Sequence, residues 1–210
     1  MTTKPASGAD LLDLAPVMPV VVVDDPATAV PLARALVAGG LPGVEITLRT
    51  PGALEAIERV AGEVPEAVVG AGTVTTPEQA SAAARAGASF LVSPGCTPRL
   101  SAAVAETGLP FLPGVSTVSE ALELLERGVH EMKFFPAEAS GGAAFLKSLA
   151  SPLPQARFCP TGGITVDSAP SYLALPNVGC VGGSWLTPSS LIEVGDWDRV
   201  TELAREAAQL

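Results

Sequence analysis

Eight short runs rich in Val, Ile and Leu alternate with Ala-rich amphipathic stretches at intervals of about twenty-two residues. This rhythm predicts an α/β protein, a (β/α)8 (TIM) barrel in a single domain over residues 1–210. Strands joined by crossover helices pair in parallel. Eight of them in a chain of this length fit a compact barrel better than an open doubly wound sheet. A second observation agrees with the first. Several helical stretches open on proline, whose missing N–H is harmless in a first turn. No linker or break in composition divides the chain.

Residues 8–14 read as a short N-terminal helix that plugs the bottom of the barrel. The first strand is expected over residues 17–23, an apolar run of strand length, and its helix over 26–38 with Asp25 as N-cap. Residues 43–48 form the second strand, followed by a helix over 51–62 capped by Thr50. The third and fourth strands, 67–72 and 89–92, lead into helices over 77–86 and 98–106, with Thr76 and Thr97 as caps. The fifth is the brief run 111–112, followed by a helix over 118–127. Strands over 130–134, 157–159 and 178–181, with a helix over 143–149, complete the set.

Composition narrows the function. Apolar residues make up 48% and charged residues 16%, which excludes a disordered chain or a coiled coil. A net charge of −10 argues against a nucleic-acid binder, which neutralises phosphates with clustered Lys and Arg. A small anionic substrate remains compatible, because a local arginine or a group of backbone N–H donors outweighs distant, screened surface acids. The three cysteines, Cys96, Cys159 and Cys180, have no metal-ligand spacing and read as reduced packing thiols. Residues 1–13 hold one lysine and no apolar core of signal-peptide length, and the run 16–23 is too short to span a bilayer. A cytoplasmic protein with no membrane partner is expected.

Lys133 is the most informative residue. It lies in His130-Glu131-Met132-Lys133-Phe134-Phe135-Pro136, a strand-like apolar run in which an ammonium group loses hydration. The neutral amine, a nucleophile towards carbonyls, is then favoured. Strand alternation sets its surroundings. In Gly43-Val44-Glu45-Ile46-Thr47-Leu48-Arg49 the apolar members suit the helix-facing side, so Glu45, Thr47 and Arg49 point into the barrel. Lys133 shares an inward phase with Glu131 and Phe135, and Thr161 one with Arg157 and Cys159. Charged groups there are costly unless paired, and that cost often marks a site.

Cleaving a carbon–carbon bond beside a carbonyl needs an electron sink, which a protonated lysine imine supplies. It also needs a base for the hydroxyl proton, and Glu45 is the candidate. Arg49 can grip a substrate carboxylate with its planar fork, with the Thr73 hydroxyl beside it. Pro160-Thr161-Gly162-Gly163-Ile164 and Gly182-Gly183-Ser184-Trp185 follow the last two expected strands. Barrels often bind phosphate there through glycine N–H groups and a short helix N-terminus. Ser184 adds a hydroxyl, and Pro94 supplies shape. The plain alternative is a buried Glu–Arg–Lys network without chemistry. The single histidine, His130, falls at the far end of its strand and reads as structural. With the carboxylates unclustered, a metal-free and cofactor-free mechanism is expected.

These residues carry a resemblance. The strings Glu45-Ile46-Thr47-Leu48-Arg49-Thr50, Gly70-Ala71-Gly72-Thr73-Val74, Ser93-Pro94-Gly95, Lys133-Phe134-Phe135-Pro136-Ala137-Glu138, Pro160-Thr161-Gly162-Gly163-Ile164 and Gly182-Gly183-Ser184-Trp185 run nearly end to end. They closely resemble the bacterial 2-keto-3-deoxy-6-phosphogluconate (KDPG) and 4-hydroxy-2-oxoglutarate (KHG) aldolases, class I enzymes of the Entner–Doudoroff route. The resemblance implies Lys133 as the Schiff-base lysine and Glu45 as proton acceptor and donor. It places Arg49 and Thr73 on the pyruvate carboxylate, Thr161 in stereochemical control, and Gly162, Gly163 and Ser184 on the phosphate, with Pro94 and Phe135 as shape contacts. It also implies a homotrimer. Two departures stand out: Asp24-Asp25, where relatives often carry basic residues, and Pro42-Gly43 before the second strand. Asp24 near the rim either weakens attraction for anions or caps the next helix, and a role as the cap or as the cap's neighbour is preferred.

Three rival readings remain at this point. One is the same chemistry on the C4 epimer, 2-keto-3-deoxy-6-phosphogalactonate. The second is a phosphate-binding barrel isomerase or synthase, which needs no buried lysine. The third is a non-catalytic sugar-phosphate sensor, which leaves Glu45 without a task.

Overall fold

The computed structural model of the protein describes residues 5–210; Met1 to Lys4, the start of the segment read as lacking a signal peptide, lie outside the described residues. Strands β1 (Val17–Val21), β2 (Gly43–Thr47), β3 (Val68–Gly72), β4 (Leu91–Val92), β5 (Phe111–Leu112) and β9 (Val181–Gly183) form one sheet in the order β5-β4-β3-β2-β1-β9. Strands β6 (Gly114–Val115), β7 (Glu131–Phe134) and β8 (Arg157–Pro160) form a second. Every pairing is parallel. Single bridges from Phe158 to Val178 and from Thr161 to Gly182 carry the pairing from β8 towards β9. The outcome is a curled parallel sheet wrapped by helices.

Alternation along the strands sorts the apolar side chains into two separate cores. Val21, Ile46, Ala71, Leu91, Phe134 and Phe158 pack outwards against helices α2 (Ala29–Ala38), α3 (Ala53–Glu63) and α7 (Gly142–Leu149). Met18, Val68, Phe90, Val92, Leu112, Cys159 and Cys180 face inwards, where they meet Leu11 and Leu12 of α1 (Gly8–Leu12). The short first helix therefore does seat its apolar pair in the inner core. Ser7 and Asp10 close its start in a reciprocal capping box. Just beyond its end, Asp13 accepts a hydrogen bond from Arg157 of β8 at 2.7 Å. Leu11→Ala should cost about 2–5 kcal/mol, the range for a leucine cavity in a packed core. Urea unfolding of the purified variant measures it.

The fifth strand departs from expectation. It continues past residue 112 but is split into β5 and β6 at Pro113. Proline has no N–H for a ladder, while its carbonyl still accepts from the Lys133 N–H at 2.9 Å. The last strand lies over 181–183 rather than 178–181, so Gly182 and Gly183 belong to β9 and pair with Met18 and Pro19. They do not form a turn. Glycine is needed there for space: a Cβ on Gly182 would stand 2.2 Å from Thr161 Oγ1, and one on Gly183 2.3 Å from the Trp185 ring.

Asp25, Thr76 and Thr97 accept N–H groups at the starts of their helical segments, as expected. Thr50 does not. Its hydroxyl donates instead to the Val23 carbonyl, and Gly52 occupies the N-cap of α3. Residues 26–28 form a 3-10 turn before α2. Three helices were not anticipated: α8 (Ala169–Leu173), α9 (Ser189–Val194) and α10 (Trp197–Ala207). In α10 a narrow apolar stripe of Val200, Ala204 and Ala207 is masked in the sequence by charged neighbours. That stripe packs on α2, where the Thr201 hydroxyl donates to the Ala35 carbonyl at 3.2 Å. Among the described residues, no helix is long and apolar enough to cross a membrane.

Candidate active site

Glu45 of β2 and Lys133 of β7 are 88 residues apart in sequence, yet Lys133 Nζ donates to Glu45 Oε1 at 3.1 Å. Both are almost fully enclosed, with 3% of the lysine and 2% of the glutamate exposed. Such a pair is tolerable only because each partner satisfies the other, and removing one leaves an uncompensated buried charge. Neighbouring strands make room for it. A Cβ on Gly72 of β3 would lie 2.1 Å from Glu45 Oε1, so that position must be glycine for the carboxylate to sit where it does. Lys133 aligns with Gly114 of β6 and Cys159 of β8. Its Nζ stands 5.4 Å from the centre of the Phe135 ring.

Arg49 and Thr73 meet at the ends of β2 and β3, where Arg49 Nε donates to Thr73 Oγ1 at 3.1 Å. Thr73 is the sole non-glycine residue with positive φ among the described residues, at 57°. A β-branched residue in the left-handed region costs on the order of 1–3 kcal/mol. The strain is concentrated where a hydroxyl is presented beside a guanidinium.

Next to this pair lies a cavity of about 210 Å³. Arg49, Phe135, Thr161, Gly162, Gly163 and Ser184 line it, closed on the other side by Val20, Val22, Ile164 and Gly182. Six of the ten residues singled out from sequence therefore share one cavity. Lys133 and Glu45 lie buried away from its lining, and Phe135 links the lysine to it. Thr73 reaches it through Arg49. Pro94 does not line the cavity; its carbonyl would stand 2.4 Å from a Cβ on Gly114, so it backs the register partner of Lys133.

Gly162 and Gly163 adopt φ of 102° and 82°, a turn that only glycine enters at little cost. The Gly163 N–H donates to no protein acceptor among the described residues, whereas the bridge from Thr161 to Gly182 turns the Gly162 N–H towards the Gly182 carbonyl. No helix begins directly at either glycine pair, since α8 starts at Ala169 and α9 at Ser189. Neither glycine pair therefore presents the first turn of a helix to the cavity.

Asp25 is the cap, its Oδ1 accepting from the Ala27 N–H at 2.9 Å. Asp24 instead lines an adjoining cavity of about 290 Å³ that shares Val20, Val22 and Ser184 with the first. Of the two preferred roles Asp24 thus holds the second, as the cap's neighbour. Gly43 fits because a Cβ would approach Met18 Sδ to 2.8 Å. His130 is exposed at the start of β7. Among the described residues no three His, Cys, Asp or Glu side chains converge as metal ligands would. All three cysteines are free thiols. Hydrogen bonding to Cys159, together with burial, pushes the Cys180 thiol well above its ordinary range.

The KDPG and KHG aldolase family model matches residues 9–203. The chain belongs to this aldolase family. As a family member it is a carbon–carbon lyase. It is 52% identical over 203 residues to the KHG/KDPG aldolase of Escherichia coli K12, covering 97% of this chain and 95% of that one. The crystal structure of the Legionella pneumophila KDPG aldolase, with pyruvate captured at low pH as a covalent carbinolamine, superposes with a TM-score of 0.94. Identity is 44%, with 96% of this chain and 98% of that one covered. A native KDPGal structure is more distant, 27% identical at a TM-score of 0.82, with 92% and 93% covered.

Sequence reasoning left several neighbours of these residues without a task. Gly72 reads only as the end of the third strand, although its place on the inward phase of β3, diagonal to Glu45 of β2, was a usable signal. Cys159 is the packing thiol expected, a free thiol in the inner core, with its Sγ 3.8 Å from Thr161 Oγ1. Glu138 and Tyr172, joined behind the Gly162–Gly163 turn, went unassigned.

Proposed function

We propose that the chain cleaves KDPG to pyruvate and glyceraldehyde 3-phosphate, and KHG to pyruvate and glyoxylate, through an imine on Lys133. The observation that carries this reading is the buried 3.1 Å contact between Lys133 Nζ and Glu45, which Phe135 joins to a cavity lined by a guanidinium and the Gly162–Gly163 turn. Nζ attacks the C2 carbonyl, and the carbinolamine loses water to give a protonated imine. Glu45 takes the proton of the C4 hydroxyl. The C3–C4 bond breaks, its electrons pass into the imine to form an enamine, and the aldehyde leaves. Glu45 returns a proton to C3, and hydrolysis releases pyruvate and the free lysine.

Arg49 and Thr73 hold the carboxylate in this reading, and Phe135 and Pro94 shape the reacting end. Thr161 stands beside the hydroxyl-bearing carbon. Gly162, Gly163 and Ser184 receive the phosphate. The gluconate configuration at C4 is supported by identities of 44–52% to KDPG-type relatives against 27% to the KDPGal structure.

The same reading extends to architecture. The bridges between β8 and β9, and the continuity of β5 and β6 through Pro113, support a closed eight-stranded barrel. Packing of α10 on α2 supports one domain over residues 1–210. The family resemblance supports a homotrimer working in the cytoplasm.

Ser184→Ala separates the phosphate end from bond-breaking. A hydrogen bond to an ionised acceptor is worth about 1.5–3 kcal/mol, and exposed Ser184 belongs at the lower end. KM for KDPG should rise about 10-fold, with KHG turnover unchanged. Steady-state kinetics on both substrates decides it, and an equal loss on the two would remove the phosphate from this rim. Gly163→Val is the poorer probe. At positive φ a branched side chain is strained, and a Cβ there meets Glu138 at 2.8 Å, so it tests folding as well.

A further inference from the structure

The Gly162–Gly163 turn takes its orientation from the segment that follows β7. The Thr161 carbonyl accepts from the Ala137 N–H at 2.8 Å, and the Gly162 carbonyl from the Glu138 N–H at 3.1 Å. In a trans peptide the N–H points opposite to its C=O. With both carbonyls tied to residues 137–138, the N–H groups of Gly162 and Gly163 must face the other way. Both glycines line the cavity.

Glu138 itself is fixed from behind. Tyr172 on α8, only 1% exposed, donates its hydroxyl to Glu138 Oε1 at 2.7 Å. Burial, and then the hydrogen bond to Glu138, push this hydroxyl far above the ordinary tyrosine range, so it remains a donor. The contact also has space reserved around it. A Cβ on Gly142, which sits at φ +63°, would lie 3.3 Å from the Tyr172 oxygen and 3.7 Å from Glu138 Oε2. Gly163 gives way on the other side, since its Cβ would meet Glu138 Cβ and Cγ at 2.8 Å.

We infer that Glu138 and Tyr172 are positioning residues for phosphate recognition: the pair clamps residues 137–138 so that their N–H groups hold the glycine turn with the Gly163 donor aimed into the cavity. This rests on the phosphate placement proposed above. It gives the Lys-Phe-Phe-Pro-Ala-Glu string two jobs, the nucleophile at one end and the anchor of the phosphate turn at the other. Neither Glu138 nor Tyr172 touches the reacting carbons.

The test compares Tyr172→Phe, Glu138→Ala and Glu138→Gln, each checked for cooperative melting, on KDPG and KHG. Tyr172→Phe and Glu138→Ala should each raise KM for KDPG roughly 10-fold, the lower end for a lost hydrogen bond to an ionised group. Their kcat on KDPG and both constants on KHG should stay at wild-type values. Glu138→Gln keeps an oxygen that accepts from Tyr172 and should behave like the wild type. An unchanged KM for KDPG in Tyr172→Phe, an equal loss on both substrates, or Glu138→Gln as impaired as Glu138→Ala would each overturn the clamp. Ser184→Ala run in parallel tells the two ideas apart. If it is selective for KDPG while Tyr172→Phe is silent, the clamp alone fails; if it is not selective, the phosphate placement beneath it fails.

Discussion

Lys133→Arg is expected to keep the fold and lose cleavage. Arginine preserves the positive charge opposite Glu45 and offers more donors to it, so the buried pair stays compensated. It stays protonated and forms no imine with a keto acid. Removing a covalent nucleophile should lower kcat on KDPG by on the order of 10⁴-fold or more. Circular dichroism and a melting curve check the fold, and a coupled assay for glyceraldehyde 3-phosphate checks activity. A folded variant that still turns over within 100-fold of the wild type would remove Lys133 from its role.

Glu45→Gln should separate imine formation from proton transfer. The amide oxygen still accepts from Nζ at the observed separation of 3.1 Å, so the lysine keeps a partner and pyruvate still condenses in part. What disappears is the group that takes and returns a proton. General acid–base assistance contributes about 10²–10⁴-fold, and exchange of the pyruvate methyl protons with solvent should slow by that amount. Deuterium incorporation followed by NMR measures it. Exchange near the wild-type rate would assign the proton to another group.

The strand phases of β2 and β7 were legible because alternation is a strict period and each of these two strands has a costly side chain on one face. Placing Glu45, Arg49 and Lys133 inwards required only that Val44, Ile46 and Met132 face helices, and the two separate cores bear this out. The bounds of strands were less legible wherever glycine served space rather than conformation. Gly182 and Gly183 look like a turn in sequence and are a strand in the fold, because Thr161 and Trp185 occupy the volume of their missing side chains. Thr50 shows the limit of local signals in another way. It stands where a cap belongs, but a tertiary acceptor, the Val23 carbonyl, claims its hydroxyl.

The distal support of the site was not legible at all. Tyr172 lies 34 residues from Glu138 in sequence, on a helix of five residues, too short to show a period. No spacing rule connects the two; only the fold does. The same holds for Gly72, whose absent Cβ seats the Glu45 carboxylate.

The central claim is an imine on Lys133, and reductive trapping tests it most directly. The chain has three lysines, Lys4, Lys133 and Lys147, so a covalent adduct can be assigned without ambiguity. Incubation with pyruvate and borohydride, followed by intact-protein mass and peptide mapping, should show one adduct with the mass of pyruvic acid less one oxygen, carried on the peptide containing Lys133. No gain in mass, or an adduct carried by Lys4 or Lys147 instead, would contradict the account.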